Sequence, residues 1–511
     1  MTYEKHIREF EARTTKAKQM GGEEKLRKRR ESGILNVRER VDYLVDSGSW
    51  EESGLLTVTV DPPELREKTP ADGKVAGFAT INNREVAVVA NDFTVKGSSS
   101  TPLNEKKFSH MKQYATKRGM PIIFLGESTG VRMPDVLGSA NMSQVGGPTR
   151  FLRKRETPWV SAVMGYAFGS SAWHACCADF NVMRKGSIMA VSSPQLVSLA
   201  TKAKVEPEEL GGWRIHSEVT GFADVVVDTD QEALDAIKQF LSYLPSHSNE
   251  APSRMPVPPG SGEEMEHILD LLPAIRSKVY DVRKIINVIV DKETNFELKA
   301  RYGKSVVTSL ARIDGRSVGI IASNPLFKGG SIDADACDKI ISFVVLCDSF
   351  NIPLVFLIDQ PGFLIGLEAE KNKITGKVIN WMNALSLCTV PKIAIILRKS
   401  YGQAHINMGG GGMVDELAAW FTADVSFMDP VSGVAIVHGV NREDNPEQFE
   451  KLMKEFALDT TAYDMAAVYG VQKVLDPRET RNYLIRMLKA HEMKASNGVG
   501  ERNLRTWPTS Y

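Results

Sequence analysis

The chain has 511 residues, of which 42 % are hydrophobic and 25 % charged, as in ordinary soluble globular proteins. This length predicts about three domains, or two large ones. The 63 basic and 63 acidic side chains cancel, which excludes a bulk charge that would attract nucleic acid or an acidic membrane. Any anionic ligand must therefore be held by local groups.

The five cysteines lack the spacing of a metal site or a disulfide framework, which favours a reduced, cytoplasmic location. The first residues mix acidic and basic side chains without an apolar segment, so we expect neither a signal peptide nor a transit peptide. A membrane-spanning helix needs about eighteen consecutive apolar residues. No such run occurs in the sequence, so we expect no membrane insertion.

Residues 1–46 have the pattern of charged amphipathic helices. They contain the basic run 25–30, which is either a solvated face or a binding segment. Residues 77–92 alternate around Asn82-Asn83, which predicts a β-hairpin. A small-residue turn, a helix and the buried strand Ile122–Leu125 follow. Strand, small-residue loop, helix and strand in this order indicate an α/β layer fold.

A shift of 232 residues aligns the second half of the chain with the first. Identical or similar residues then meet in the hairpins, the small-residue turns and the buried strands: Ala79 with Ala311, Ile81 with Ile313, Arg84 with Arg316, Lys96 with Lys328, Pro121 with Pro353, Phe124 with Phe356, and Gly130 with Gly362. These matches at one offset predict two homologous domains, 1–250 and 251–511. The proline-rich segment 244–262 is the predicted linker.

The segment Val390–Met413 combines a buried strand, the basic pair Arg398-Lys399, small residues and glycines. A strand that enters a helix through a small-residue turn presents backbone N–H groups that can hold an anion. Alternatively, the glycines only let a helix pack closely on a sheet. Residues 157–183 form the corresponding segment of the first half.

Two anion-holding turns in one chain predict a reaction with two oxyanions, such as group transfer between two carbonyl-derived centres. Glu127 and Asp359 at strand ends could act as acid or base, or could cap a loop or helix. His405 is either a proton-transfer group or part of a pocket wall. The run 409–412 is either a tight turn or a point of close ligand approach.

Several further segments carry a family resemblance: 36–52, 91–99, 208–224, 280–291, 347–366 and 476–481. CDSFNIP followed by PGFLIG (347–366) is the most specific of them, and EELGG followed by His216 comes next. Together they resemble the carboxyltransferase (β) subunits of biotin-dependent acyl-CoA carboxylases and the related acyl-CoA decarboxylase α subunits. The resemblance covers nearly the whole chain. It implies an α/β fold of two tandem crotonase-like (ClpP/crotonase) domains related by internal duplication.

The resemblance also implies roles for the two turns. The acyl-CoA oxyanion hole falls on Gly169 and Ser170 in the N-terminal domain, and the biotin-side hole falls on Gln403 and Ala404 in the C-terminal domain. The remaining residues expected to bind substrate or biotin are Gly97, Ser98, Gly130, Phe168, Gly362, Phe363, Gly402, His405 and Ile406. No metal is expected. Biotin itself supplies the base.

The chain lacks a biotinyl segment and an ATP-grasp domain, so biotin is expected on another chain. By resemblance, the partners are a biotin carboxylase and a biotin carboxyl carrier protein. Two copies are expected to pair so that the N-domain of one and the C-domain of the other enclose the site, within a hexamer built as a trimer of dimers. The alternatives are the carboxyltransferase subunit of a decarboxylase, which hands the carboxyl group to a membrane partner, and a non-catalytic assembly subunit.

The sequence departs from the family pattern at both turns. Ser170 and Gln403 replace glycines, and His405-Ile406 stands where related carboxylases commonly carry Tyr-Asp. The run 127–130 (Glu-Ser-Thr-Gly) replaces Asp-Ser-Gly-Gly. These differences leave the acyl group open, and they motivate the hypothesis of an unusual acyl-CoA, branched or unsaturated.

Overall fold

The structure, a computed structural model, describes residues 3–60, 62–143, 151–492 and 496–508. The chain divides into two compact units, the first ending at Asn249 and the second beginning at Glu250. No helix in the described ranges is both long and apolar enough to cross a membrane.

The first unit contains one mixed eight-stranded sheet, with the order β1-β2-β3-β4-β5-β6-β8 and with β7 paired to β5. Its strands are β1 (Glu51–Glu52), β2 (Lys74–Ile81), β3 (Arg84–Asn91), β4 (Ile122–Ser128), β5 (Trp159–Phe168), β6 (Phe180–Arg184), β7 (Ile188–Ala190) and β8 (Val225–Val227). Its helices are α1 (Glu4–Lys18), α2 (Glu23–Glu31), α3 (Val37–Leu44), α4 (Pro102–Arg118), α5 (Met133–Val136), α6 (Ser139–Met142), α7 (Ser170–Cys176), α8 (Pro194–Thr201), α9 (Pro207–Gly211) and α10 (Asp230–Tyr243).

The second unit repeats this sheet, with the order β9-β10-β11-β12-β13-β14-β16 and with β15 paired to β13. Its strands are β9 (Phe296–Leu298), β10 (Val306–Ile313), β11 (Arg316–Ser323), β12 (Leu354–Gln360), β13 (Lys392–Tyr401), β14 (Glu416–Trp420), β15 (Asp424–Ser426) and β16 (Lys473–Leu475). Its helices are α11 (Val282–Ile289), α12 (Ala334–Ser349), α13 (Leu367–Lys371), α14 (Ile374–Leu387), α15 (Gly402–Asn407), α16 (Pro430–His438), α17 (Pro446–Phe456), α18 (Ala462–Ala467) and α19 (Thr480–Ala490).

The predicted hairpin is confirmed. Strands β2 and β3 pair antiparallel around Asn82 and Asn83, whose φ angles of 51° and 61° are those of a tight two-residue hairpin turn. In the second unit Asp314 and Gly315 take the same place between β10 and β11, with φ of 54° and 73°. The same local chemistry therefore sets the register of both hairpins.

The parallel strands β3, β4, β5 and β6 follow the hairpin in the first unit, and β11, β12, β13 and β14 follow it in the second. All seven residues of β4 and all seven of β12 are buried, because helices and loops cover both faces of the sheet. Parallel strands end at the same edge of a sheet. The loops after β4 and β5, and those after β12 and β13, therefore lie side by side.

The N-terminal helices are confirmed as α1, α2 and α3. Between the linker and β9 the structure has a 3-10 helix at Glu263–Leu271 and then α11. Helix α19 is amphipathic and buries one face, which includes Tyr483, Leu484 and Leu488.

Candidate active site

The first predicted turn joins β5 to α7. Gly169 has φ 62° and ψ −127°, a backbone conformation that residues other than glycine rarely adopt. Helix α7 begins at the next residue. Within the described ranges, no hydrogen bond uses the N–H of Gly169 or Ser170 as donor. Both amides are thus available to an external acceptor.

These amides border a cavity of about 740 Å³ in the first unit. Four of the predicted residues line it together: Gly130, Phe168, Gly169 and Ser170. Most of the exposed surface of the cavity is apolar, and it includes Val131, Met133, Val136, Met142, Trp173, Val191, Leu196 and Leu199. Half of the other lining residues are nevertheless polar, among them Ser100 and Glu105. The site is therefore a mainly apolar cavity with two free backbone donors at one edge.

Gly97 and Ser98, which were also predicted to bind substrate, are not among the residues that line this cavity. Ser98 is completely buried and donates its hydroxyl to the carbonyl of Gly73 over 2.8 Å. The carbonyl of Gly97 accepts the N–H of Thr129 over 2.9 Å. Both residues support the loop that carries Gly130, so their contact with the site is indirect.

A buried polar cluster lies against the first turn. It consists of Lys74, Glu105, His174, Ser170 and Ser100, and we call it the Glu105 cluster. Glu105 Oε1 lies 3.2 Å from Lys74 Nζ and 3.1 Å from Ser170 Oγ, while Glu105 Oε2 lies 2.9 Å from His174 Nε2. Ser170 Oγ is also 2.5 Å from Ser100 Oγ.

Glu105, His174 and Lys74 were not predicted from the sequence. Glu105 lies on α4 among lysines, where a glutamate resembles a solvated helix residue, and His174 lies on a different element. His174 is fully buried and stacks on Phe108, with ring centroids 3.7 Å apart. A buried position for Glu105 could have been suspected from the neighbouring apolar Phe108, but no local signal links it to the turn.

The carboxylate of Glu127 forms ion pairs with two guanidinium groups. Its carboxylate accepts from Arg29 over 2.8 Å and from Arg40 over 2.6 Å. Burial would raise the pKa of Glu127, but the charges of Arg40 and Arg29 outweigh it and lower the pKa. An ion-paired carboxylate of lowered pKa is a poor acid or base, so the structure favours a structural role. That role is to anchor α2 and α3 rather than to cap a loop.

The same contacts account for part of the basic run 25–30. Arg29 bonds Glu127, and Lys25 donates to the carbonyl of Thr94 over 2.7 Å. Lys28 and Arg30 pair with glutamates of their own helix and are exposed. The run therefore docks α2 on the first unit with one face and is solvated on the other.

The second predicted turn joins β13 to α15. Gly402, with φ 59°, is the first residue of this short helix. In the described part of the chain no hydrogen bond uses the N–H of Gln403 or Ala404 as donor. The exposed Gln403 side chain instead donates to Asn407 Oδ1 over 3.1 Å, which keeps it on its own helix.

His405 and the glycine run pack on each other. His405 Nδ1 lies 2.9 Å from Ser400 Oγ, and burial lowers the pKa of His405. A Cβ on Gly410 would lie only 2.3 Å from His405 Nε2. At Gly410 the structure therefore favours a tight turn that leaves room for the imidazole ring. Next to it, Gly411 has φ 62°.

The loop after β12 carries two further predicted residues, Gly362 and Phe363, and Asp359 lies within β12 itself. Gly362 has φ 128°, and Phe363 packs edge-on against Trp381 at 6.0 Å between ring centroids. Asp359 accepts from Arg398 Nε over 2.9 Å and from the N–H of Lys399 over 3.1 Å. Asp359 thus joins β12 to β13.

Ile406, in α15, is half-buried. It lies next to Gly411, since a Cβ at Gly411 would be 3.7 Å from Ile406 Cγ2.

The two positive-φ glycines define how the turns correspond. Gly169 and Gly402 each follow the last residue of a ten-residue strand, and their offset is 233 residues. Ser170 therefore corresponds to Gln403, and Ser171 to Ala404. The two predicted amide pairs, 169–170 and 403–404, therefore differ by one residue in position. The residues equivalent to 403–404 are 170–171, and those equivalent to 169–170 are 402–403.

Among the described residues, no group of three or more His, Cys, Asp or Glu side chains is arranged to hold a metal ion.

Comparison with known proteins decides the family. A family model for the carboxyl transferase domain matches residues 28–504. The chain belongs to the carboxyl transferase family. It is a biotin-dependent acyl-CoA carboxyltransferase, as the resemblance implied.

Two members illustrate the range of this family. A propionyl-CoA carboxylase carboxyltransferase subunit of Haloferax mediterranei is 32 % identical over 509 residues, covering 96 % of this chain and 97 % of the relative. A methylmalonyl-CoA decarboxylase subunit alpha of Veillonella parvula is 31 % identical over 510 residues, covering 98 % and 99 %.

The carboxyl transferase fold is also seen in a crystal structure of transcarboxylase 12S, described as a hexamer with methylmalonyl-CoA and methylmalonic acid bound. It matches with a TM-score of 0.89 and 30 % identity, over 97 % of this chain and 96 % of that one. The predicted fold class, two tandem crotonase-like domains of mixed α/β structure, is confirmed.

Proposed function

We propose that this carboxyltransferase uses the β5–α7 turn for the acyl-CoA thioester and the β13–α15 turn for biotin. The observation that carries the proposal is the duplication itself. Each unit has one turn with a positive-φ glycine and free amides, placed after the same strand of the same sheet. A transfer between two carbonyl-derived groups needs two such sites.

Backbone N–H donors stabilise an oxyanion because they are fixed before the charge develops. In the first unit the amides of Gly169 and Ser170 would hold the thioester oxygen, and the apolar cavity beside them would hold the acyl chain. In the second unit the amides of Gln403 and Ala404 would hold the ureido oxygen of biotin. Bound carboxybiotin would supply the carboxyl group, and its ureido nitrogen would supply the base once the carboxyl group has left.

Biotin would reach the second turn on a carrier protein that works with a biotin carboxylase. Two copies of the chain would pair, the first unit of one copy with the second unit of the other, within a hexamer such as that described for transcarboxylase 12S. A pull-down that recovers a biotinylated protein, together with a hexamer mass in solution, is the expected result. A fully active chain without any biotin would contradict this part.

The decisive experiment is carboxyl exchange between a carboxylated acyl-CoA and free biotin, catalysed by the purified chain. Exchange that depends on biotin supports the proposal. Absence of exchange with a broad acyl-CoA panel would instead favour a non-catalytic assembly subunit.

The cavity favours an acyl group larger than acetyl or propionyl. Cavities of about 300–1,000 Å³ typically enclose drug-sized ligands, and this one has mainly apolar walls. Each buried methylene contributes about 0.8 kcal/mol, or roughly fourfold in kcat/KM. We therefore expect kcat/KM to rise along a series of straight and branched acyl-CoA thioesters. A strong preference for acetyl- or propionyl-CoA would contradict this expectation.

The second candidate is the carboxyltransferase subunit of a decarboxylase, and it is supported by the similarity to the Veillonella parvula decarboxylase subunit. The chemistry on this chain would be the same half-reaction in the direction of biotin. Co-purification with a membrane protein, rather than with a biotin carboxylase, would favour this candidate.

A further inference from the structure

The Glu105 cluster is the most extensive group of buried ionisable side chains beside the first turn that the proposed function does not use. Lys74, Glu105 and His174 come from β2, α4 and α7, and each side chain is at most 8 % exposed. Such groups are costly to bury unless they are paired. Their position against a turn that carries free amides calls for a functional explanation.

The number of protons on each group determines which group donates in these contacts. An ionised carboxylate can only accept, so the hydroxyl of Ser170 donates to Glu105. A serine has a single hydroxyl proton, so Ser100 must then donate to Ser170 across their 2.5 Å contact. The Ser170 side chain is thus held from two sides.

These two contacts also connect the loops around the cavity. The N–H of Ser100 donates to the carbonyl of Gly130 over 2.8 Å, and Ser100 pairs with Val131 as an isolated β-bridge. Through its hydroxyl, Ser170 is therefore tied to α4 by Glu105 and to the loop after β4 by Ser100. Three neighbouring segments share one chain of hydrogen bonds.

The charge balance of the cluster is compatible with an oxyanion nearby. A lone carboxylate beside the turn would repel negative charge that develops on the thioester oxygen. Lys74 offsets that charge from 3.2 Å, and His174 donates or accepts at 2.9 Å on the other carboxylate oxygen. Glu105 can thus anchor Ser170 without opposing the oxyanion.

We propose that Glu105 is a positioning residue that acts through the Ser170 hydroxyl to hold the amides of the first turn in place. The inference rests on the proposed assignment of this turn to the acyl-CoA thioester. It explains how a serine fits at a position where the family pattern has a glycine, because its hydroxyl is drawn into the cluster.

The test is a double-mutant cycle with Glu105→Gln, which is nearly isosteric, and Ser170→Ala. We expect each single variant to lower kcat of carboxyl transfer about tenfold, with the KM for acyl-CoA unchanged within about twofold. The double variant should be no slower than either single variant, because both changes break the same link. Glu85→Gln, at an exposed hairpin position, is the control for loss of a carboxylate.

Two results of the cycle would overturn the proposal. One is a loss for Glu105→Gln that persists in full when Ser170 is alanine, since Glu105 would then act by another route. The other is a wild-type kcat for Ser170→Ala. If Glu105→Gln does not fold, the kcat values of Ser170→Ala and Ser100→Ala test the proposal instead. Both variants leave the Lys74–Glu105 ion pair intact.

Hydrogen–deuterium exchange separates this inference from the proposed function. The peptide 165–175 should exchange several-fold faster in Ser170→Ala and Glu105→Gln than in Glu85→Gln, whether or not the chain transfers carboxyl groups. Unchanged exchange would overturn the positioning role. Faster deuterium exchange of this peptide in a chain that lacks transfer activity would support the positioning role and overturn the proposed function.

Discussion

The two turns share a backbone but differ in the side chains that support them. Each follows a ten-residue parallel strand and begins with a glycine of φ near 60°. The first is tied by a hydroxyl to a buried ion pair, Lys74–Glu105. The second is supported by the neutral contacts of Gln403 with Asn407 and of His405 with Ser400. Duplication has thus preserved the placement of the amides and let their supports diverge.

The largest effect is expected at Gly169. With φ 62° and ψ −127°, an added Cβ strains the backbone at the amides themselves, so Gly169→Ala should lower carboxyl transfer about 100-fold. Gly402→Ala should cost about tenfold, because Gly402 also has a positive φ, 59°, and its Cβ would lie 3.2 Å from the carbonyl of Phe427. The larger loss at Gly169 is expected from its ψ of −127° and not from steric contact, since the nearest atom to its Cβ would be 3.9 Å away. Steady-state kcat for both variants checks the ranking.

Gly186→Ala is the matched control for these two variants. Gly186 also has a positive φ, 82°, but its Cβ would meet nothing within 4 Å and it does not line the cavity. Its activity should stay within about twofold of wild type. Equal losses at Gly169 and Gly402 would contradict the difference between the two turns.

The next effect concerns the contact between Gly410 and His405. An added Cβ would lie 2.3 Å from His405 Nε2, so Gly410→Ala must displace the imidazole and with it the start of α15. We expect about a tenfold loss of transfer, seen mainly as a raised KM for free biotin. His405→Ala, which removes the ring, should restore most of the loss in the double variant. A loss that persists in the His405→Ala background would exclude the clash as its cause.

Much of the fold could be predicted because its signals are local or repeated. The Asn82-Asn83 turn, the alternation around it and the buried strands at one offset specify the hairpins and the parallel strands. The strand–turn–helix order likewise located both turns. Each of these features depends on residues that are close in sequence or repeated at one offset.

The supports of the turns could not be predicted, because they join distant residues. Glu105, Lys74 and His174 meet only when α4, β2 and α7 pack together. The one-residue offset between the amide pairs also depends on φ at Gly169 and Gly402, which composition does not reveal. Gly97 and Ser98 resembled site residues because they belong to a small-residue turn, yet they lie behind the loop of Gly130.

Two lysines at equivalent positions of the two units, the buried Lys339 and the half-buried Lys107, give the smallest and most specific comparison. Lys339 Nζ donates to the carbonyls of Lys299, Tyr302 and Val306 over 2.7–3.0 Å. Lys107, 232 residues earlier, likewise donates to three carbonyls, among them Gly54 and Ala71. Burial lowers the pKa of Lys339 to about 7 and that of Lys107 to about 8.

These values fix the sign of a pH dependence. Above its folded pKa each lysine is neutral in the folded chain, while in the unfolded chain it stays protonated up to about pH 10.4. The unfolded state then binds more protons, so stability gains from each lysine as pH rises. The wild-type advantage in free energy of unfolding over Lys339→Met should grow from about pH 7, by at least about 1 kcal/mol at pH 9. The advantage over Lys107→Met should begin to grow about one pH unit higher. Urea unfolding at pH 6.5, 8 and 9 measures both, with the exposed Lys489→Met as control. Parallel pH profiles for all four proteins would show that neither Lys339 nor Lys107 loses its proton in the folded chain.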